Sequence, residues 1–339
     1  MKSIDEVLDS LPKFKNDEIL KAYIKSYKII NDIKYNKILC SVSGGADSDI
    51  MIDIIQRVDV QHKVEYVWFN TGLEYQATKD HLKYLENKYN IKINTKRAIK
   101  TIPLCVKEFG QPFISKFVSE AIGSLQKYGF KFEDRPYEEL EKEYPKVKSY
   151  LKWWCNKYDV KEGYTSTIFN INHNKLLKEF LVENPPTFKI SSQCCKYAKK
   201  KVVKSILENS DYELQIVGIR KAEGGVRSKS YSNCYTTDTD VHSFRPIFWF
   251  KNEDKEYYDR IFNIKHSDCY TVYGFKRTGC VGCPYIRDLN YELSKLKQYE
   301  PLLYKASNNI FKESYEYTKL YKKYVQNDKR KKQSKLFDI

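Results

Sequence analysis

The fold follows from one stretch, Ile38-Leu39-Cys40-Ser41-Val42-Ser43-Gly44-Gly45-Ala46-Asp47-Ser48, in which an apolar run ends in two glycines. The apolar run predicts a buried strand, and the residues after the glycines predict a helix that starts at once. A helix N-terminus offers unpaired N–H groups and a positive partial charge, so this turn is predicted to bind a phosphate. The turn has neither the Walker A lysine nor the spacing G-x-G-x-x-G. The alternative is an ordinary corner between a strand and a helix.

The composition is that of a globular chain that can hold one large domain or two, with 339 residues, of which 41% are hydrophobic and 15% aromatic. No apolar stretch reaches the length of about 18 residues that a membrane span needs. The first residues lack the apolar core of a signal peptide, so we expect a cytoplasmic protein and no membrane partner. Nine cysteines in a reducing compartment favour metal or redox chemistry over disulfides.

The chain is strongly basic, with a net charge of +16. Such a charge favours polyanionic partners, namely nucleotides, tRNA or DNA. The alternative is a lysine-rich solvated surface, since the lysines are scattered. The one tight basic run is Lys329-Arg330-Lys331-Lys332, near the end of the sequence.

Strand and helix patterns alternate around the first strand. They predict strands at 37–43, 64–70 and 91–94 and helices at 48–57 and 76–90, with helical residues before them at 4–35. This order predicts a doubly wound, mostly parallel α/β sheet. Its ligand would lie beyond the carboxyl ends of the strands, where Ser43 and Asn70 follow.

The pattern changes after residue 100. Residues 101–190 predict a helical insertion, with helices near 114–128, 137–158 and 173–183. A helix at 194–209, a strand at 214–219 and a strand followed by a helix within 245–262 come next, and the chain is helical again from 292. We therefore expect an N-terminal helical segment (1–36), a nucleotide-binding domain (37–290) that carries the insertion, and a helical tail (291–339).

Several segments resemble known motifs. Ser43-Gly44-Gly45-Ala46-Asp47-Ser48 resembles the pyrophosphate loop (PP-loop) of the adenine-nucleotide alpha-hydrolase superfamily. Asn70-Thr71-Gly72-Leu73-Glu74 resembles the Asp-Thr-Gly-x-Glu motif of phosphoadenosine-phosphosulfate (PAPS) reductases, with Asn70 in place of Asp. Gly218-Ile219-Arg220 with Arg227-Ser228, and Pro246-Ile247 with Trp249, are similar to later motifs of that family.

The resemblance covers roughly 37–98 and 188–290, and it is strongest to PAPS-reductase-like proteins of phages and mobile elements and to the ATPase of DNA phosphorothioation systems. It implies the fold of the superfamily (the HUP type) and an adenine nucleotide at Ser43, Gly44, Gly45, Asp47, Ser48, Asn70, Thr71 and Gly72. In ATP-cleaving relatives the loop Asp helps to hold Mg²⁺, which implies that role for Asp47.

Cysteines form a second pattern, Cys194-Cys195 and Cys280-x-x-Cys283. Consecutive side chains diverge on a helix or a strand, so two adjacent thiolates bind one zinc ion awkwardly. A cuboidal cluster contains several irons, and neighbouring thiolates can each bind one. The pattern favours an iron–sulfur cluster, with zinc or unliganded redox thiols as the alternatives.

The same pattern resembles the iron–sulfur class of adenylyl-sulfate reductases, which implies a [4Fe-4S] cluster on Cys194, Cys195, Cys280 and Cys283. Lys199 matches the lysine that accompanies the Cys-Cys pair there, whereas Ala198 replaces the usual arginine. Those reductases attack sulfate with a thiolate in a Glu-Cys-Gly motif, and no cysteine follows Cys283 in this sequence. We therefore expect no sulfite formation by that route. Cys155, Cys234 and Cys269 are candidates for sulfur handling, and Cys40 is predicted to be a core residue.

Three functions stay open. The first is an ATP pyrophosphatase that adenylates an acceptor, DNA or tRNA, before a sulfur donor displaces AMP, with Asp47, Lys199, Arg220 and Arg227 as catalytic residues. Four cysteine ligands would fill a cluster and leave no iron to carry a sulfide, which argues against the simplest form of this function. A sulfur-donor protein is a candidate partner. The second is a sulfonucleotide reductase that uses an external thiol. The third is a non-catalytic subunit that binds a nucleotide and a cluster. The five histidines show no metal-ligand spacing.

Overall fold

The computed structural model describes residues 2–224 and 230–337. The chain forms two compact units, each built from two separate stretches. Unit 1 consists of Met1–Ile99 and Ala198–Cys280, and unit 2 consists of Lys100–Tyr197 and Val281–Ile339.

The sheet lies in unit 1. Its strands are β1 (Ile38–Val42), β2 (Val64–Asn70), β3 (Ile93–Arg97), β4 (Leu214–Val217), β5 (Tyr235–Thr236) and β6 (His242–Phe244). The strand order is β3-β2-β1-β4-β6-β5, and every neighbouring pair is parallel except β5 and β6. The predicted doubly wound, mostly parallel sheet is confirmed.

The helices, in chain order, are α1 (Ile4–Asp9), α2 (Asp17–Ile30), α3 (Ala46–Val58), α4 (Gln76–Tyr89), α5 (Ile102–Phe109), α6 (Lys116–Lys127), α7 (Tyr137–Glu143), α8 (Lys148–Trp154), α9 (Leu177–Glu183), α10 (Gln193–Cys195), α11 (Lys201–Glu208), α12 (Asn252–Ile261), α13 (Asp268–Thr271), α14 (Leu289–Tyr299), α15 (Pro301–Ile310) and α16 (Lys312–Phe337). A π-helical stretch, Lys196–Lys200, joins α10 to α11. No described helix has the length and apolar character needed to cross a membrane.

Prolines account for two differences from the sequence-based expectations. The helix expected across 137–158 is interrupted at Tyr144, because the residue before Pro145 is disfavoured in the α conformation. The strand expected after 245 lies earlier in the chain, at β6. Pro246 follows it and has no N–H to donate to a neighbouring strand.

The third strand also differs from its expected bounds of 91–94, since β3 begins at Ile93 and extends to Arg97.

Each unit has its own core. In unit 1 the buried residues of β1 and α3 dominate, and Cys40 is one of them, as predicted. Burial raises the pKa of the Cys40 thiol, which suits a packing role. The core of unit 2 is aromatic and includes Phe113, Trp153, Trp154 and Phe180.

Candidate nucleotide-binding site and cysteine motifs

The glycine turn between β1 and α3 is held by its own serines. Ser48 Oγ accepts the Ser43 N–H at 3.2 Å, and Ser43 Oγ accepts the Gly45 N–H at 3.3 Å. Gly44 has a φ of +68°, and a Cβ there would lie 2.7 Å from Thr78 Cγ2. Glycine is therefore required at position 44, both for the backbone conformation and for the close contact.

Two hydroxyl groups lie beside the start of α3. The Tyr270 hydroxyl lies 3.1 Å from Thr278 Oγ1, and the backbone at Ala46 lowers the pKa of this hydroxyl, although burial raises the pKa more. A Cβ on Gly45 would lie 3.2 Å from the Tyr270 oxygen and 3.5 Å from Thr278 Oγ1. The first N–H groups of a helix have no carbonyl partner within it. Ser43, Ser48, Tyr270 and Thr278 thus surround a helix N-terminus with hydroxyl groups, an environment suited to phosphate oxygens.

The turn lies at the point where the strand order reverses. β1 pairs with β2 on one side and with β4 on the other, so α3 starts at the topological switch point of the sheet. Gly218, just after β4, is close to α3, since a Cβ there would lie 3.3 Å from the Asp47 carbonyl oxygen. Ligands of doubly wound sheets bind in the crevice at this point.

Asp47 and Arg220, both predicted site residues, are brought together here. Arg220 donates its Nε–H to Asp47 Oδ1 at 2.9 Å and an Nη1–H to Asn252 Oδ1 at 3.1 Å. Arg220 is buried, and its side chain is 9% exposed against 19% for that of Asp47. The ion pair therefore fixes the loop carboxylate in one orientation. Arg227, the fourth predicted catalytic residue, lies outside the described residues.

The buried face of α3 carries a second ionic network. Asp49 accepts hydrogen bonds from His81 at 2.9 Å and from His266 at 2.7 Å, and His266 contacts Asp259 at 3.0 Å. Burial opposes a charge on His266, but its hydrogen bonds to Asp259 and Asp49 outweigh burial and raise its pKa to about 9. The network ties α3 to the segment just before Tyr270.

The residues after β2 form a tight turn. Asn70 Oδ1 accepts the Gly72 N–H at 2.8 Å, and Gly72 has a φ of +83°. Thr71 is fully buried, and its hydroxyl contacts Glu74 at 2.5 Å and Cys280 Sγ at 3.8 Å. The turn at Asn70 begins where β2 ends, beside the end of the neighbouring strand β1. A nucleotide is expected at this carboxyl edge of the sheet.

Glu74, in the turn after β2, interacts electrostatically with Lys199 of unit 1. Burial raises the pKa of the Glu74 carboxyl, and the positive charge of Lys199 opposes that shift. Lys199 and Cys280 are therefore both linked to the turn after β2, through Glu74 and Thr71. The sequence motif contained Glu74, but its electrostatic interaction with Lys199 joins residues far apart in the chain.

Three of the four predicted cluster cysteines lie around one tyrosine in unit 2. Burial raises the pKa of the Tyr285 hydroxyl, and Cys194, Cys195 and Cys283 add to that shift. Cys194 is buried, whereas Cys195 and Cys283 are partly exposed. All three thiols thus lie close enough to Tyr285 to interact with it electrostatically.

The turn that contains Cys283 is fixed by two helices of unit 2. Glu292 of α14 accepts the Gly282 N–H at 2.8 Å, and the Tyr315 hydroxyl donates to the Gly282 carbonyl. Gly282 has a φ of +59°, and a Cβ there would lie 2.5 Å from the Tyr315 oxygen. Only glycine fits this turn.

A zinc ion and an iron–sulfur cluster require different arrangements of cysteine thiols. Within residues 2–224 and 230–337, no group of three or more His, Cys, Asp or Glu side chains is arranged to hold one metal ion. A zinc site needs its donors about 2.3 Å from a single point, whereas the thiolates of a cluster bind separate irons. The [4Fe-4S] cluster expected on Cys194, Cys195, Cys280 and Cys283 therefore stays a prediction.

The other cysteines differ in exposure. All nine lie in the described residues and none forms a disulfide. Cys234 and Cys269, two predicted candidates for sulfur handling, are buried, and Cys155, the third, is partly exposed. Burial raises the pKa of the Cys155 thiol, which reduces its thiolate fraction.

Comparison with known families identifies one domain. Residues 37–128 match the profile of the phosphoadenosine phosphosulfate reductase domain. The match includes β1, the glycine turn, α3 and β2. Among curated proteins, none matches the chain significantly.

Solved structures with a similar fold have low sequence identity. PAPS reductase from Candida auris in a phosphate complex is 8% identical, with a TM-score of 0.40, 80% of this chain covered and 98% of that chain. A U34-tRNA thiolase from Methanococcus maripaludis with its [4Fe-4S] cluster is 11% identical, with a TM-score of 0.37 and coverage of 89% and 78%. The NH3-dependent NAD synthetase of Campylobacter jejuni is 12% identical, with a TM-score of 0.33 and coverage of 89% and 95%.

Proposed function

Because residues 37–128 carry a phosphoadenosine phosphosulfate reductase domain, we propose that this chain binds an adenine nucleotide at its glycine turn and cleaves ATP between the α- and β-phosphates. An acceptor oxygen attacks the α-phosphorus, and pyrophosphate leaves. A sulfur nucleophile then attacks the adenylated carbon of the acceptor, and AMP leaves. The acceptor is a nucleic acid, in keeping with the net charge of +16.

The observation that carries this proposal is the glycine turn at the switch point of the sheet. Its helix N-terminus and the hydroxyls of Ser43 and Ser48 are suited to hold the phosphate chain. The turn after β2, at Asn70, Thr71 and Gly72, would contact the nucleoside. Fixed donors that face a developing charge stabilise a transition state more than mobile ones.

Asp47 is the proposed Mg²⁺ ligand. Its carboxylate is partly exposed and is oriented by Arg220, and a bound Mg²⁺ would neutralise charge on the phosphates. In this arrangement Arg220 is a positioning residue for Asp47. Lys199 and Arg227 are proposed to contact anionic groups of the substrate.

We further propose that Cys194, Cys195, Cys280 and Cys283 bind a [4Fe-4S] cluster. The proposal rests on their sequence spacing and on the proximity of three of them to Tyr285. The cluster would supply a redox-active or structural centre, and a separate sulfur-donor protein would supply the sulfur.

Two other functions remain testable. A sulfonucleotide reductase with an external thiol would release sulfite from adenylyl sulfate or PAPS. A non-catalytic subunit would bind ATP tightly without turnover. The hydroxyl-lined turn favours a catalytic nucleotide site over a non-catalytic subunit.

The test uses the anaerobically purified full chain with labelled ATP, Mg²⁺ and sulfide as the sulfur nucleophile, with and without DNA or tRNA. We expect AMP and pyrophosphate in equal amounts. Asp47→Asn should abolish them, whereas Asp80→Asn, at an exposed carboxylate of α4, should leave them unchanged. Release of ADP, or sulfite from PAPS with a thioredoxin-type reductant, would contradict the proposal.

A further inference from the structure

Unit 2 contains a cavity of about 420 Å³ between α5, α15 and the start of α16. This volume lies within the range of small-molecule sites, about 300 to 1,000 Å³. The cavity is lined by Lys107, Gly110, Gln111, Phe188, Lys189 and Glu313, among others. None of these residues belongs to the nucleotide site or to the cysteine motifs.

The cavity wall is a tightly built part of the unit. The Gln111 N–H donates to the Lys189 carbonyl at 2.8 Å, and the Ser191 N–H donates to the Gln111 carbonyl at 2.9 Å. A Cβ on Gly110 would lie 2.1 Å from the Lys189 carbonyl oxygen, so these two segments approach as closely as only glycine allows.

One carboxylate at the cavity is held in a fixed orientation. Gln111 is buried, and its Nε2 donates to Glu313 Oε2 at 2.9 Å while its Oε1 accepts the Ser314 N–H at 2.8 Å. The amide thus contacts both the Glu313 carboxylate and the backbone that follows it. The carboxylate retains lone pairs that can accept two adjacent N–H groups of a ligand.

The other residues that line the cavity indicate which further chemical groups a ligand would carry. Lys107 and Lys189 are exposed, and neither makes an ion pair within the described part of the chain, so both are suited to phosphate groups. Phe188 is half-buried, with its ring edge-to-face against Tyr317, and it offers an aromatic surface on which a base can stack.

We propose that this cavity binds a base of a single-stranded nucleic acid, with Phe188 as the stacking surface, Lys107 and Lys189 at the flanking phosphates, and Glu313 accepting from adjacent N–H groups. Guanine presents such a pair at N1 and N2, whereas uracil presents one N–H between two carbonyl oxygens. The inference rests on the proposed function in one respect, since it gives the nucleic acid acceptor a binding site.

The test measures binding by fluorescence anisotropy, without ATP, so that its outcome is independent of the ATP cleavage assay. The probes are two labelled RNA heptamers, one of seven uridines and one with a central guanine. We expect the guanine heptamer to bind about tenfold tighter. The same two sequences as DNA distinguish RNA from DNA as the natural ligand.

Three variants test the roles of Glu313 and of the two lysines separately. Glu313→Gln should remove the preference for guanine, and Lys107→Gln with Lys189→Gln should weaken the binding of both heptamers and lower the salt slope by about 1.4. Lys152→Gln, at an exposed lysine of α8, is the matched control. Equal affinity for the two heptamers in the unchanged protein, or an unchanged preference in Glu313→Gln, would overturn the proposal.

Discussion

Arg220 donates its Nε–H to Asp47 Oδ1 at 2.9 Å, which joins the first turn of α3 to the segment after β4. The two residues are more than 170 positions apart, yet both lie at the switch point of the sheet. Because the arginine is almost buried, removal of either partner leaves the other charge without compensation.

The first prediction is a double-mutant cycle on this pair. Asp47→Asn leaves a nearly buried guanidinium without its counter-charge, and Arg220→Gln leaves the carboxylate without its own. Each change should lower the free energy of unfolding by about 3 kcal/mol, and the double variant should lose less than the sum of the two. Urea unfolding measures all four proteins. Strict additivity would mean that the ion pair has no role in stability.

The second prediction concerns Gly45 and nucleotide affinity. Gly45→Asp adds a Cβ 3.2 Å from the Tyr270 oxygen and, beyond it, a negative charge at the turn where a phosphate is proposed to bind. Calorimetry should show at least a tenfold loss of ATP affinity, since one unfavourable charge contact is worth about 1.4 kcal/mol or more. Gly279→Ala is the control, because a Cβ there has open space around it. Unchanged affinity in Gly45→Asp would place the nucleotide elsewhere.

The third prediction is a loss of stability at alkaline pH that depends on His266. Its pKa in the folded protein is about 9, above the ordinary value of 6.5, so the protonated ring stabilises the fold. This contribution is complete below about pH 6.5 and is lost as the pH rises through about 9. It amounts to roughly 3 kcal/mol. Unfolding free energies from pH 6 to 10 should show this decline in the unchanged protein and a flatter profile in His266→Gln. Equal slopes would contradict it.

The fourth prediction concerns iron. Protein purified without oxygen should be brown and contain about four irons per chain. Serine in place of Cys194, Cys195, Cys280 or Cys283 should remove most of the iron. Cys155→Ser is the matched control, and its iron content should equal that of the unchanged protein. One zinc and no iron in the anaerobic protein would refute the cluster.

The parts of the site that lie along one continuous stretch could be predicted from the sequence. The apolar run of β1 and the glycines after it are local signals, so the strand, the turn and α3 follow from a few residues. Asn70, Thr71 and Gly72 follow β2 in the same way. Parallel neighbours then place both turns at one edge of the sheet.

The partners of these residues could not be predicted. Tyr270 and Thr278 contact the turn from more than 200 residues further along the chain, and nothing in their own sequence marks a hydroxyl that faces a helix N-terminus. The Asp49 network was missed for a similar reason, because His81 and His266 show no pattern until the fold brings them to one carboxylate. The partners of both histidines depend on tertiary packing.

The pairing of Ile38 with Leu214 also has a consequence for how the chain is made. β1 lies at the middle of the sheet, yet the strand that covers its second edge is synthesised only after all of residues 100–197. During translation β1 would therefore expose an edge of unpaired backbone N–H and C=O groups for many seconds, at about 5 to 20 residues per second. Fragments that end before residue 214 should aggregate for this reason, and the ribosome-bound chain should need a chaperone until β4 emerges.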